Sequence, residues 1–193
     1  MKKSLGLAAL VLVALALVAP PAAADALSLE LGLHGGVVNS KDGESGSFLG
    51  GAQARVNLFW IVSAEARGSY YTDSYDLGEL GSVDIENIPF QVSGMIYPIK
   101  LPKVGVYLLA GGTYSNLKVT GTGVVQGEVT EKGWSTHVGA GIDLKVGEKT
   151  TLNGDVRAVF LDASSVDELI DSARSNYKGD FWTVTIGLNY KLF

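Results

Sequence analysis

The feature that most constrains this chain is a succession of eight segments in which apolar residues alternate with polar or small ones. Successive side chains on a strand point to opposite faces, so each segment presents one greasy side and one polar side. The first, Leu27 to Val37, sets Leu29, Leu31 and Leu33 against Ser28, Glu30 and His34. Phe48 to Trp60 sets Ala54, Val56 and Leu58 against Gln53, Arg55 and Asn57. The third opposes Val62, Ala64, Ala66 and Tyr70 to Ser63, Glu65, Arg67 and Ser69, and the fourth opposes Ile88, Phe90, Val92 and Ile96 to Asn87, Gln91 and Ser93. In the second half Val106, Leu108 and Ala110 oppose Tyr107, Gly111 and Thr113, while Trp134, Val138, Ile142 and Leu144 oppose Ser135, His137 and Asp143. Leu152, Val156, Ala158 and Phe160 then oppose Asn153, Asp155 and Arg157, and Trp182 to Leu192 closes the series against Thr183, Thr185, Asn189 and Lys191. Segments of about ten residues with this period are what a β-strand needs to cross a bilayer.

The connections alternate in length. Asn39–Ser47, Asp73–Glu86, Ser115–Gly133 and Asp162–Asp180 are long, whereas the turns near Ile61, at Pro98–Lys103 and at Lys145–Thr150 are short. Membrane barrels have short periplasmic turns and longer external loops, so the alternation orients the chain. The expected fold is all-β, an eight-stranded antiparallel up-and-down transmembrane barrel.

The first residues read as an address. Lys2 and Lys3 precede an apolar run from Leu5 to Ala19, Pro20 and Pro21 interrupt it, and Ala22-Ala23-Ala24 supplies small residues for cleavage. The run is short for a transmembrane helix and suits a signal peptide. The expected division is a signal peptide over residues 1–24, with cleavage after Ala24 or alternatively Ala26, and a barrel domain over residues 25–193. The absence of cysteine excludes a disulfide scaffold and any thiolate metal site. The net charge of −5 excludes a nucleic-acid partner on electrostatic grounds and disfavours polyanionic ligands, apart from lipopolysaccharide bridged by divalent cations.

Aromatic residues fall at the ends of the outward rows. Phe48, Tyr70, Tyr114, Trp134 and Trp182 lie toward the loops, and Trp60, Tyr97 and Tyr190 toward the turns, forming two expected interfacial girdles. Charges gather on the opposite face: Glu30, Glu65, Asp143 and Asp155 against Arg55, Arg67, Arg157 and Lys191. Eight strands enclose a lumen that side chains fill. Balanced charges in such a lumen are tolerable only when paired, so a salt-bridge plug is expected, with Arg55–Glu65–Arg67 and Asp155–Arg157 among its members. A narrow cation or proton path is the functional alternative.

Several stretches carry a family likeness. Asn87-Ile88-Pro89-Phe90, Met95-Ile96-Tyr97-Pro98, Val138-Gly139-Ala140-Gly141 and the closing Gly187-Leu188-Asn189-Tyr190-Lys191-Leu192-Phe193 resemble the small OmpA-type and OmpX-type outer-membrane barrels. The resemblance covers nearly all of the mature chain. It implies residence in the outer membrane among its lipids and lipopolysaccharide, and insertion by the barrel assembly machinery through Phe193, although the position two before it is Lys191 and the aromatic Tyr190 stands three back. The peptidoglycan-binding domain of full OmpA proteins is not expected, since the sequence ends at its eighth strand.

Candidate chemistry is sparse. A nucleophilic serine needs a base within hydrogen-bond reach and a third group to orient that base. Ser135, His137 and Asp143 share a row, but the lipid A deacylase pattern requires a serine two residues after the histidine, where Gly139 stands. No catalytic, cofactor-binding or metal-binding residues are expected, and His34 and His137 read as interior hydrogen-bonding groups. The Ser115–Gly133 connection reads either as a solvated loop or as a hairpin extending its strands, with Val119 and Val129 offering an edge to a partner. Ser165-Val166-Asp167-Glu168 followed by Leu169, Ile170 and Ala173 predicts a short amphipathic helix over the barrel mouth. The expectation is a monomeric barrel with a structural or surface-interaction role. A narrow channel or small hydrophobic-ligand conduit is the alternative, and a lipid A-modifying enzyme the remoter one.

Overall fold

The computed structural model describes residues 27–40, 46–76, 81–123, 127–161 and 181–193. The leader and the expected helix around Leu169 lie outside the described residues. The strands are β1 (Ser28–Ser40), β2 (Ser47–Phe59), β3 (Val62–Asp76), β4 (Gly81–Asn87), β5 (Phe90–Lys100), β6 (Val104–Gly123), β7 (Gly127–Lys145), β8 (Thr150–Leu161) and β9 (Phe181–Lys191). Each pairs antiparallel with its neighbours, and β1 pairs with both β2 and β9, so the sheet closes on itself.

β4 and β5 are two parts of one barrel strand. On the β3 side Tyr71 pairs with Asn87 and Gly68 with Phe90, so the register is the same on either side of Ile88-Pro89. On the β6 side Leu117 pairs with Asn87 and Tyr114 with Phe90, again in one register. Pro89 has no N–H to give the ladder, yet its carbonyl still accepts from Ser69 N at 3.0 Å. The barrel therefore has eight strands.

Alternation decides the walls. In β5 the exposed and buried positions alternate strictly from Phe90 to Pro98. Outside stand Leu33, Val92, Ile96, Leu108, Val138, Val156 and Ile186, all exposed. Such a surface is untenable in water and matches a hydrocarbon solvent. The lumen holds the polar set.

Two of the long connections are strands for much of their length, and for Ser115–Gly133 this is the hairpin alternative, with Val119 paired to Val129. Asp73–Glu86 is mostly the β3–β4 hairpin, whose register runs to Asp76↔Ser82, and Ser115–Gly133 is the top of the β6–β7 hairpin, whose register runs to Gly121↔Gly127. β6 has 20 residues and β7 has 19, about twice what a crossing requires. The excess stands above the membrane, where β4 and β6 also pair, Ile85 with Val119. Regular hydrogen bonding satisfies these backbones as well as water would, and Thr, Val and Tyr favour the extended state. At the other end Pro98 belongs to β5, because a bulge between Ile96 and Ile99 absorbs it before the turn.

Candidate functional site in the barrel lumen

Six charged side chains form one connected chain inside the barrel. Asp143 binds Arg55 at 2.8 Å, Arg55 binds Glu65 at 2.9 Å, and Glu65 binds Arg157 at 2.7 Å. Arg157 binds Asp155 at 2.9 Å, and Asp155 binds Arg67 at 2.9 Å. Tyr97 and Tyr107 add hydroxyl donors to Asp143 (2.7 Å) and Asp155 (3.2 Å), and Thr185 donates to Asp155 at 3.0 Å. The guanidinium-bearing side chains are at most 2% exposed.

Topology explains why these bonds cross the lumen. β2 faces β7 across the lumen, and β3 faces β8, each pair four strands apart around the wall. Arg55–Asp143, Glu65–Arg157 and Arg67–Asp155 therefore cross the diameter, joining residues 88, 92 and 88 positions apart in sequence. Small residues make room for the large ones. A Cβ at Gly141 would strike the Tyr107 ring, and one at Gly139 would lie 3.1 Å from the Arg157 stem. Guanidinium forks suit this task, since Arg55 and Arg157 each hydrogen-bond two carboxylates from a fixed plane, while Arg67 hydrogen-bonds Asp155 and Thr185.

Polar groups continue above the ion pairs. Gln53 donates to Asn189 at 2.6 Å and to Asn153 at 3.2 Å. His34 shares a hydrogen bond with Ser69 at 2.9 Å, and His137 bonds Ser93 and Thr113, both at 2.8 Å. The Ser135–His137–Asp143 grouping is not assembled: Ser135 donates to the Thr113 carbonyl, and Asp143 is held by Arg55 and Tyr97. Among the described residues there is also no cluster of three metal-ligating side chains.

An apolar belt outside and a crossed ion-pair chain inside together define a membrane-spanning barrel with a filled lumen. The family comparison agrees over residues 8–191. The chain belongs to the outer membrane protein β-barrel domain family. As a member of that family it is an integral protein of the outer membrane.

Solved outer-membrane barrels share the fold at low identity. A major outer membrane protein from Thermus thermophilus superposes with a TM-score of 0.63 at 13% identity, covering 86% of this chain and all (100%) of that one. Neisserial surface protein A gives 0.61 at 13%, covering 86% and 97%. Ail, the attachment invasion locus protein of Yersinia pestis, gives 0.57 at 12% over the same shares, 86% and 97%. No curated protein matches by sequence.

Within this family barrel, most of the aromatic residues named from sequence face outward. Phe48, Trp60, Tyr70, Trp134, Trp182 and Tyr190 are exposed, and Tyr114 stacks on Trp134 with centroids 5.2 Å apart. Tyr97 is different. It is 4% exposed and points into the lumen, where it donates to Asp143, so it is a plug residue and no part of a girdle. Row parity explains this, because Gln91, Ser93, Met95 and Tyr97 follow one another on the inward face. Lys191 also departs from expectation: it pairs in register with Glu30 but is exposed at the rim, where the wall ends and water reaches it. Glu30 takes its hydrogen bond from the Asn57 amide, at 2.9 Å. Phe193 is exposed just past the end of β9, beyond Leu192, whose N–H donates to the Leu29 carbonyl.

Met95 and Leu109 are interior residues that the sequence reading does not assign to the lumen; with Tyr97 and Tyr107 they form an apolar cluster against the ion pairs. Their signal is parity alone, since both sit on the row opposite the lipid-facing residues.

Proposed function

We propose that this outer-membrane barrel is a closed anchor that carries its function on the external hairpins, contributing to envelope integrity or surface interaction. The observation that carries this reading is the ion-pair chain across the lumen. A path for ions would have to break mutually committed pairs whose members, apart from Asp143 at the periplasmic end, are dry, which costs several kcal/mol per charge. Toward the outer mouth, the cavity lined by Val38, Leu49, Tyr71 and Phe181 is only about 10 Å3. That is the bare minimum for a water, so it offers no room for a small hydrophobic ligand. His34 and His137 serve as hydrogen-bonding struts, and the barrel performs no chemistry.

In sequence the hairpins carry Asp73, Asp76, Asp84, Glu86, Glu128 and Glu131 against Lys118 and Lys132, an excess of acid. The similar Ail structure is described in complex with a sulfated heparin analogue. That excess of negative charge disfavours such chemistry and suits a basic partner, or lipopolysaccharide bridged by divalent cations. The exposed apolar belt meets outer-membrane lipids as a monomer, Phe193 presents itself to the barrel assembly machinery, and residues 1–24 direct export and are removed.

Planar-bilayer recording of the refolded chain is the test. The expected record shows no regular conductance steps. Regular steps in the wild type that Arg55→Ala or Glu65→Ala abolishes would replace this reading with that of a narrow channel.

A further inference from the structure

The periplasmic mouth is built differently from the plug above it. Lys100, Lys103, Lys145, Lys149 and Lys191 line a cavity of about 140 Å3 there. That is roughly the volume of four or five liquid waters. The ends of β5, β7 and β9 contribute Lys100, Lys145 and Lys191, and the two intervening turns contribute Lys103 and Lys149. Closure of the barrel brings together lysines that sequence keeps far apart.

Among the described residues, none of these five ammonium groups lies within 4.0 Å of a carboxylate. The cavity lining also includes three carboxylates. Asp143 is committed to Arg55 and Tyr97, Glu30 accepts from Asn57 through one oxygen and keeps the other without a partner, and Glu148 is exposed on the turn, so five ammonium groups outnumber the carboxylates that could answer them. Lys100 is half-buried, with its ammonium 4.5 Å from the centre of the Tyr97 ring, and so is fixed against the base of the cavity. The outward positions at this height, Ile99, Val146 and Leu192, are exposed and apolar. Positive charge is thus gathered around one cavity at this mouth, on a chain whose net charge is −5.

We propose that this mouth binds a multivalent phosphate-class anion, held by Lys100 at the base and by Lys103, Lys145, Lys149 and Lys191 around the rim. Converging like charges repel one another, and a dianion removes that cost while ammonium groups offer it rotatable donors. The low-dielectric barrel wall limits screening on one side, which strengthens the attraction. The phosphate can come from the periplasm as a free ion or ester, or from a phospholipid headgroup folded over the rim. This proposal does not depend on what the external hairpins do.

The test titrates inorganic pyrophosphate calorimetrically into the refolded full chain in zwitterionic micelles. Saturable binding is expected, weakened about tenfold or more by Lys100→Gln with Lys145→Gln. Lys132→Gln, on the part of β7 above the membrane, leaves it unchanged. If a headgroup is the source, pyrophosphate does not bind. The barrel then melts higher in phosphatidylcholine vesicles doped with phosphatidic acid, whose phosphomonoester can carry two charges, than in phosphatidylcholine alone, and the double substitution erases that difference. No saturable binding together with equal melting in both lipids overturns the proposal. Heat-modifiable gel migration checks folding, and Lys103→Gln with Lys149→Gln replaces the first pair if that variant does not fold.

Discussion

The same strands obey opposite rules below and above the outer aromatic belt. Within the membrane β6 and β7 turn Leu108, Val138 and Ile142 outward, and Thr113, His137 and Asp143 inward. Above Tyr114 and Trp134 the outward positions become Lys118, Thr130 and Lys132, while Leu117 falls on the lumen row. β3 and its partner change in the same way. Tyr70 on the belt donates to Glu86 at 3.4 Å, and Ile85 takes the lumen row one position farther from the membrane. The backbone and register do not change at this boundary; the solvent does. Hydrocarbon demands an apolar exterior, and water permits a charged one.

This comparison can be broken by substitution. The largest effect is expected at the plug. Glu65→Gln leaves Arg55 and Arg157 without their shared carboxylate and should cost about 3–5 kcal/mol, read from urea unfolding in vesicles. A loss below about 1 kcal/mol would show that water already reaches the ion pairs. Next, Val138→Arg on the lipid-facing row of β7 should cost about 2–4 kcal/mol in the same titration. Gly141→Ala should cost about 1–3 kcal/mol by forcing Tyr107 aside, with a red-shifted tyrosine environment as the spectroscopic sign. The smallest effect is the sharpest check. Thr130→Arg introduces the same charge as Val138→Arg on the same row of β7, but above the belt, and should change stability by no more than about 0.5 kcal/mol. Equal costs at Val138 and Thr130 would place the membrane boundary wrongly.

Much of the candidate site was legible in the sequence because both period and sign were written there. Arg55, Glu65, Arg67, Asp143, Asp155 and Arg157 all stand on rows opposite apolar ones, so their inward placement required only parity. The same parity places Tyr97 inside, against the pull of its aromatic character toward a girdle. Partner choice was less accessible. Local spacing suggested Asp155–Arg157 and Arg55–Glu65, which the structure contains at 2.9 Å each. The crossings from β2 to β7 and from β3 to β8 depend on which strands stand opposite after closure. Lys191 has the correct parity but lies at the end of the wall, a matter of height that the period does not encode.

Alternation, loop lengths and sign-balanced rows determined by themselves that this chain makes an antiparallel barrel with a polar interior. Each follows from contacts between a residue and its near neighbours or its solvent. Tertiary structure alone decided three things: the diametric pairing of the plug, the extension of the Asp73–Glu86 loop into paired strands, and the gathering of five lysines at the periplasmic mouth. All three depend on strands brought together by closure, and a one-dimensional period carries no information about what lies across a lumen.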